Sequence, residues 1–579
     1  MTRSDRSERS DRSSRSRRSA RLVAAAAIVI AAFALYAPTI GDYFVQDDFG
    51  VVGLFAQRSL TYFGRWFVVP WTEDIWGYVP DELRPFPAAS YVMASWLGAA
   101  TPQPNHVINI ALHAFNGLLV MWIAESAAGL GLLAASAAGM LFVVLPIQAE
   151  SVAWVTGRVD SLPTMFYFAS FLLYVRAVRL KPDSTGPDGV RPQADQDLGG
   201  GGLQADLTSR GRLQPAYLWS VILFFVALFS KQNTITMAPA LILFDAIIKR
   251  RRIEITWTWL RPYVPYIVLT IAFLALRFVV FHEVARESLL SIQRVQEFLS
   301  DVSRHLVRLV FSGAGIRSWS ARDSVLVAVG TASVALVGWG LARSAVRDLW
   351  RPAIYFGIVW IVLGVMPILM SGYYSPRHMY LASLGWAIFI AIGIDITWQA
   401  QPARILRPVA LAAAVALVGA YAVQSHGVVE GWNRAAAISR AAVQQIEREA
   451  EQDPAGTLVI AGVPRSSWAF AVPHAIRPPF TSDAVGKRLL VISDSFDHCC
   501  DAPQWDRYTR EALRTWNERA SRPAVVALYW DARTGRMSRV SDHDDPQLRT
   551  LVSLLIETKD RATLDSEIQG MLRDFVALR

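Results

Sequence analysis

From residue 22 to residue 424 the chain repeats one pattern: a long apolar stretch with few or no charges, then a polar break. The apolar stretches are Leu22–Ile40, 106–125, 129–147, 161–178, 215–230, a run stopping at Lys249, 262–281, 323–342, 353–371, 380–397 and 408–424. A helix crosses a bilayer with about 20 such residues. The pattern therefore predicts a polytopic α-helical membrane protein with about eleven transmembrane helices.

The breaks set the orientation. Residues 1–21 hold eight Arg among serines and read as a disordered, cytoplasmic basic tail. A cleaved signal peptide is the alternative for Leu22–Ile40, but many further spans follow it. With the N-terminus in the cytoplasm, the dense short basic clusters, such as Lys249-Arg-Arg-Arg252, all fall on the inner side. Within the transmembrane domain 22–424, residues 41–105 are then the first extracytoplasmic loop, and the Pro- and Gly-rich 179–214 a cytoplasmic low-complexity loop. In 282–321, Arg294, Glu297, Asp301, Arg304 and Arg308 recur at helical spacing and predict an amphipathic helix outside.

After residue 424 charges of both signs become frequent. Thr457–Val463, Leu489–Ser493 and Ala524–Trp530 predict buried strands; Asp501–Ala520 and Asp545–Leu578 predict helices. Residues 425–579 are expected to form a small soluble α/β domain on the extracytoplasmic side.

Composition agrees with a membrane protein: 53% of residues are hydrophobic and only 18% charged. The net charge of +9 does not call for nucleic acid, because much of the Arg sits in short loops that orient helices. The two cysteines, Cys499 and Cys500, are adjacent and build neither a disulfide framework nor a zinc pattern.

The candidate chemistry gathers at one membrane face. Asp47 and Asp48 lie where the first helix emerges, and Glu150, Arg158, Asp160, Lys231, Arg377 and His378 lie at other outer helix ends. Ionisable residues at membrane depth are costly and point to function. His106, Asn109, His113 and Asn116, spaced three, four, three, share one helix face, for which helix–helix hydrogen bonding is the plain reading. The two histidines are seven apart without an obvious third ligand, so no cofactor is assigned and a divalent metal stays open. Carboxylates with Arg and Lys opposite suit transfer from a lipid-phosphate sugar. The cations stabilise the leaving phosphate and a carboxylate takes the acceptor proton. The chain has no G-x-G-x-x-G or P-loop, in keeping with a donor that is not a nucleotide sugar.

Six segments in order carry a family likeness: Phe44-Val-Gln-Asp-Asp-Phe49; Arg84-Pro85; His106-Val-Ile-Asn-Ile-Ala-Leu-His113; Pro146-Ile-Gln-Ala-Glu-Ser-Val152 with Gly157-Arg-Val-Asp160; Ser230-Lys-Gln232; and Tyr374-Ser-Pro-Arg-His-Met-Tyr-Leu381. Over roughly residues 20–400 the chain resembles the GT-C superfamily of polyprenyl-phosphate-sugar glycosyltransferases. Within it, the chain is most like the transmembrane O-mannosyltransferases with tetratricopeptide tails and their bacterial relatives. The resemblance implies Asp47 or Asp48 as catalytic base, and Arg377, Lys231 and Arg158 as donor-phosphate ligands. Glu150, Asp160, His106, His113 and Arg84 are implied as acceptor-binding or cavity residues. It also implies a polyprenyl-phosphate donor, an extracytoplasmic protein or glycan acceptor, and mannose as the first sugar to test. Gln232 stands where the family has Glu, Ser375-Pro376 stands where it has an acid, and no 34-residue repeat follows.

Two other functions compete with transfer. A transporter or flippase would show inverted repeats and midplane helix breaks, and no clear internal repeat is visible. A membrane-anchored binding protein would work through residues 425–579, where Asp494, Asp497, His498 and Asp501 form a polar loop.

Overall fold

The computed structural model describes residues 3–73, 75, 82–98, 101–179, 208–209, 212–283, 292–311, 321–342, 344–367, 375–400, 402–452, 457–461, 471–482, 485, 489–492, 525–531 and 536–541. Most of loop 179–214, the two predicted C-terminal helices and Cys499–Asp501 lie outside the described residues.

Helices occupy the apolar stretches. Five described helices are long and apolar enough to cross a membrane: Arg18–Gly41, Gln103–Ser126, Val155–Val178, Val264–Phe281 and Ala403–Gln452. Leu132–Val144 and Pro146–Ala153, bent by 49°, make a sixth if taken as one span. Shorter apolar helices fill Pro215–Leu228, Trp350–Val365 and Ser383–Gln399. The protein is therefore a multi-pass integral membrane protein. Among the described residues fewer helices are long and apolar enough to span than the eleven expected, and some apolar stretches are cut by proline and by short 3₁₀ turns.

The chain divides into two compact units. One comprises residues 1–38, 106–153 and 157–430; the other comprises 39–105, 154–156 and 431–579. The first loop and the C-terminal region fall in the same unit, whose C-terminal segment begins at residue 431, six residues past the expected 425. Ala403–Gln452 is one helix of 50 residues. Its length of about 75 Å, at 1.5 Å per residue, far exceeds the ~30 Å apolar core of a bilayer. Beyond residue 430, Ala436, Ser439, Val443, Ile446 and Ala450 are buried at three- and four-residue steps. An amphipathic helix thus continues the apolar one without a break. The N-terminal tail also differs from expectation, since the first helix already begins at Arg3 and runs to Tyr36.

In the larger unit the helices pack through small residues and rings. A Cβ on Gly385 would lie 2.4 Å from the Gly357 carbonyl oxygen, so the helices that carry these glycines approach backbone to backbone. Phe171, Phe244, Phe356 and Trp360 form a ring cluster beside them.

In the second unit, three of the predicted strand regions are strands. The sheet order is Leu489–Ile492, Thr457–Ala461, Val525–Asp531, Arg536–Ser541. The first two pairings are parallel and the last antiparallel. Leu458, Ile460, Leu528 and Met537 are buried.

Candidate active site

In the larger unit, four predicted residues meet in one charged network, each placed by a break in a helix. Pro146 forces Leu145 into an extended conformation and ends the helix Leu132–Val144. The chain restarts with Glu150 in the first turn of Ala149–Ala153. Gly157 lets it turn again: a Cβ there would lie 2.6 Å from the Glu150 carbonyl oxygen and 2.8 Å from the Ser151 Cα. Arg158 and Asp160 then open the helix Arg158–Arg179, with the carboxylate at the positive end of the dipole. Lys231 is extended after Pro215–Leu228 and precedes the 3₁₀ turn Gln232–Thr236. Arg377 lies in the 3₁₀ turn Pro376–Met379, closed by a Ser375–His378 capping box.

The Lys231 ammonium donates to Asp160 Oδ1. Asp160 Oδ2 lies 3.5 Å from Arg377 Nε. Arg377 Nη1 donates to Glu150 Oε1 at 3.3 Å and its backbone N–H to Oε2 at 3.3 Å. The Ser375 hydroxyl donates to Glu150 Oε1 at 2.6 Å. Cation, anion, cation and anion therefore alternate, and Lys231 and Asp160 are only 7% and 1% exposed. Charges this buried hold only if paired and hydrogen-bonded. Ser375 thus joins the network as a donor to Glu150.

The other predicted residues of this unit are fixed in the helix packing. Arg158 is fully buried, and its Nε donates to Asn109 Oδ1 at 2.9 Å. His113 Nε2 donates to the Val143 carbonyl at 3.0 Å, so Nδ1 accepts from the Tyr380 hydroxyl at 2.7 Å. Asn116 Nδ2 donates to the Ser161 carbonyl (2.9 Å) and to the Tyr380 hydroxyl (3.2 Å). The polar stripe is thus used for helix-to-helix bonds. His106 is buried on the same helix.

The acidic pair belongs to the second unit, and its two members differ. Gln46 adopts φ +55°, the left-handed region, and turns the chain into the helix Asp48–Ala56. Asp48 is buried. Its Oδ2 accepts from the Val45 N–H at 3.0 Å, and its Oδ1 from the Thr156 N–H at 2.8 Å and the Thr156 hydroxyl at 2.6 Å. Burial pushes its pKa up to about 7, against the pull of these hydrogen bonds, and the neighbouring Asp47 charge adds to the rise. Asp47 is half-buried at the N-cap position, and its side chain makes no capping bond. The Trp154 indole N–H donates to the Val45 carbonyl at 3.1 Å. Arg84, also in this unit, pairs with Glu82 at 2.8 Å and lies 5.5 Å over the Trp71 ring. Sequence reasoning missed Thr156 and Trp154; a buried Asp needs donors, but nothing in the sequence says which segment supplies them.

A resident metal does not fit this arrangement. Among the described residues no three of His, Cys, Asp or Glu come together as ligands. The Asp48 oxygens face N–H and O–H donors, and both His113 nitrogens are engaged.

No protein-family model matches the chain. The human protein O-mannosyl-transferase TMTC1 is 27% identical over 161 residues, which are 27% of this chain and 18% of the human protein. Protein O-mannosyl-transferase Tmtc2 of Drosophila melanogaster is 31% identical over 159 residues, 26% of this chain and 16% of the fly protein. The matches thus cover less than a fifth of either relative's length. Among solved structures, the archaeal oligosaccharyltransferase AglB of Archaeoglobus fulgidus, in complex with an inhibitory peptide and a dolichol-phosphate, aligns with TM-score 0.49 and 10% identity, covering 91% of this chain and 75% of that one. ArnT of Cupriavidus metallidurans bound to undecaprenyl phosphate aligns with TM-score 0.45 and 13% identity, covering 88% and 93%. The chain is similar to the O-mannosyltransferase family, in agreement with its motifs.

Proposed function

We propose that this protein is an integral-membrane glycosyltransferase that moves a sugar from a polyprenyl-phosphate donor to an extracytoplasmic acceptor hydroxyl. The observation that carries this reading is the alternation of buried Lys231 and Asp160 with part-buried Arg377 and Glu150 at helix breaks. In a membrane, non-helical backbone and charge of this kind line a protein-enclosed site. The partial likeness to O-mannosyltransferases supports the sugar chemistry and makes mannose the first candidate.

The roles follow from the side chains. Asp47, the half-buried member of the pair, is the general base, and Asp48, tied by three donors, shapes the loop that presents it. The acceptor oxygen attacks the anomeric carbon. The bond from that carbon to the phosphate oxygen breaks, its electron pair leaves with the phosphate, and the acceptor proton passes to Asp47. Lys231 and Arg377 offset the charge that develops on the phosphate, and Arg158 is the third candidate cation for it. Asp160 and Glu150 hold those cations in place. His106, His113 and Arg84 are structural. Every step uses side chains of the chain itself.

The full reading includes about eleven spans, a cytoplasmic N-terminus, and the strand-bearing C-terminal region outside as a small α/β domain. The test supplies purified protein with radiolabelled polyprenyl-phosphate mannose, glucose or arabinose and an extract of envelope acceptors. Label appearing on an acceptor with one donor, and not with Arg377→Gln, supports the reading. An Arg377→Gln variant as active as wild type would remove the phosphate assignment.

A further inference from the structure

The acidic loop is held largely by residues far along the chain. Within the second unit, the buried Ser439 hydroxyl donates to the carbonyl of buried Phe44 at 2.6 Å. The next residue, Arg440, donates through Nη2 to the Gly41 carbonyl at 2.6 Å and lies 5.6 Å over the Tyr43 ring. Phe480 sets its ring edge-on to Phe44 at 5.2 Å and to Phe49 at 5.1 Å, the aromatics just before and just after the Asp47–Asp48 turn. The same ring lies 3.2 Å from where Gly53 would carry a Cβ, so it packs closely on the helix Asp48–Ala56 at its glycine.

Phe480 is itself tied back. Its N–H donates to the Arg477 carbonyl at 2.8 Å, and the Ser482 N–H donates at 2.8 Å to Glu447, which stands on the helix that bears Ser439. The loop that these contacts grip contains Gln46 in the left-handed region. A non-glycine residue persists there only when its surroundings over-determine it.

We propose that Ser439 and Phe480 are positioning residues for the acidic pair, fixing the Asp47 turn for transfer. This rests on the reading of Asp47 as the base. It makes the C-terminal region part of the reaction machinery rather than an appended domain. Neither residue touches substrate; both act through Phe44, Phe49 and the turn between them.

The test uses the full chain in lipid nanodiscs: wild type, Ser439→Ala, Ser439→Thr, Phe480→Leu, Asp47→Asn, and Ile438→Ala as a control on the exposed side of the same helix. One arm measures amide hydrogen exchange, and the other measures transfer turnover against donor concentration. Ser439→Ala should raise exchange across residues 42–52 by about tenfold while leaving 132–144 unchanged. Phe480→Leu should do the same and lower kcat by about 10²-fold, the cost of misplacing a reacting group by an ångström. Donor KM should stay within about twofold, and Ser439→Thr should restore both readouts. Wild-type exchange and kcat in Ser439→Ala and Phe480→Leu, beside an inactive Asp47→Asn, would overturn the proposal and leave the base assignment standing. Full activity in Asp47→Asn would instead overturn the base assignment. The exchange arm decides by itself whether Ser439 and Phe480 hold the loop.

Discussion

Thr156→Val separates the two members of the acidic pair. The substitution is close to isosteric and removes only the hydroxyl that donates to Asp48 Oδ1 at 2.6 Å; the Thr156 N–H at 2.8 Å and the Val45 N–H at 3.0 Å remain. A hydrogen bond to a charged group contributes about 1.5–3 kcal/mol. In a domain of 150–250 residues, each kcal/mol shifts Tm by about 2–4 °C. Thermal unfolding at pH 8, where Asp48 with a pKa of about 7 is mostly ionised, should therefore show a loss of about 3–12 °C. At pH 5, where Asp48 is mostly protonated, the loss should be smaller, because the bond to the charged form is the stronger one. Asp47→Asn should behave in the opposite way: Tm within about 2 °C of wild type, but transfer lowered about 10²–10⁴-fold. A Thr156→Val protein as stable as wild type at pH 8 would refute the anchoring of Asp48. A stable Asp47→Asn protein with full activity would refute the division of roles.

The raised pKa of Asp48 gives a second prediction. Its folded value of about 7 exceeds the ordinary aspartate value of 3.8, so its stabilising contribution is present below about pH 4 and is lost as pH rises through 7. The Tm of Asp48→Asn should accordingly change less between pH 5 and pH 8 than that of wild type. Asp160→Asn leaves Lys231 and Arg377 without their shared carboxylate; about 3–5 kcal/mol should be lost, read as poor recovery of folded protein. The double variant Asp160→Asn/Lys231→Gln should recover part of that loss, measured by the same Tm assay. Gly157→Ala drives a methyl against the Glu150 carbonyl and the Ser151 Cα and should cost about 1–3 kcal/mol, visible as a lower Tm.

The helical fold was legible because apolar runs are a local property. The stretch 106–125 lies inside the helix Gln103–Ser126, and Leu22–Ile40 and 262–281 largely coincide with helices ending at Tyr36 and spanning Val264–Phe281. The charged network was also legible residue by residue, since Glu150, Asp160, Lys231 and Arg377 stand beside Pro, Gly or polar breaks that end apolar runs. What it lacked was the pairing: nothing local says that Asp160 serves both Lys231 and Arg377. After residue 424 hydropathy falls while helix propensity does not; alanines and glutamates carry the helix on to Gln452. The division into units was hidden for a different reason. Phe44 meets Ser439 and Phe480 across nearly 400 residues of chain, and periodicity carries no information about contacts of that range. The sequence left Asp47 and Asp48 as equal candidates for the base, and only the donors around Asp48 set it apart as a buried, anchored group.

The central claim is that the protein breaks a sugar–phosphate bond and joins the sugar to an acceptor. A donor labelled with tritium in the mannose and with ³²P in the polyprenyl phosphate tests it directly, in proteoliposomes that hold the acceptor extract. The account predicts that tritium moves to the acceptor while ³²P stays with the lipid, and that Asp47→Asn abolishes the separation. Both labels crossing the bilayer together, with no label on any acceptor, would contradict the account and make the protein a lipid transporter.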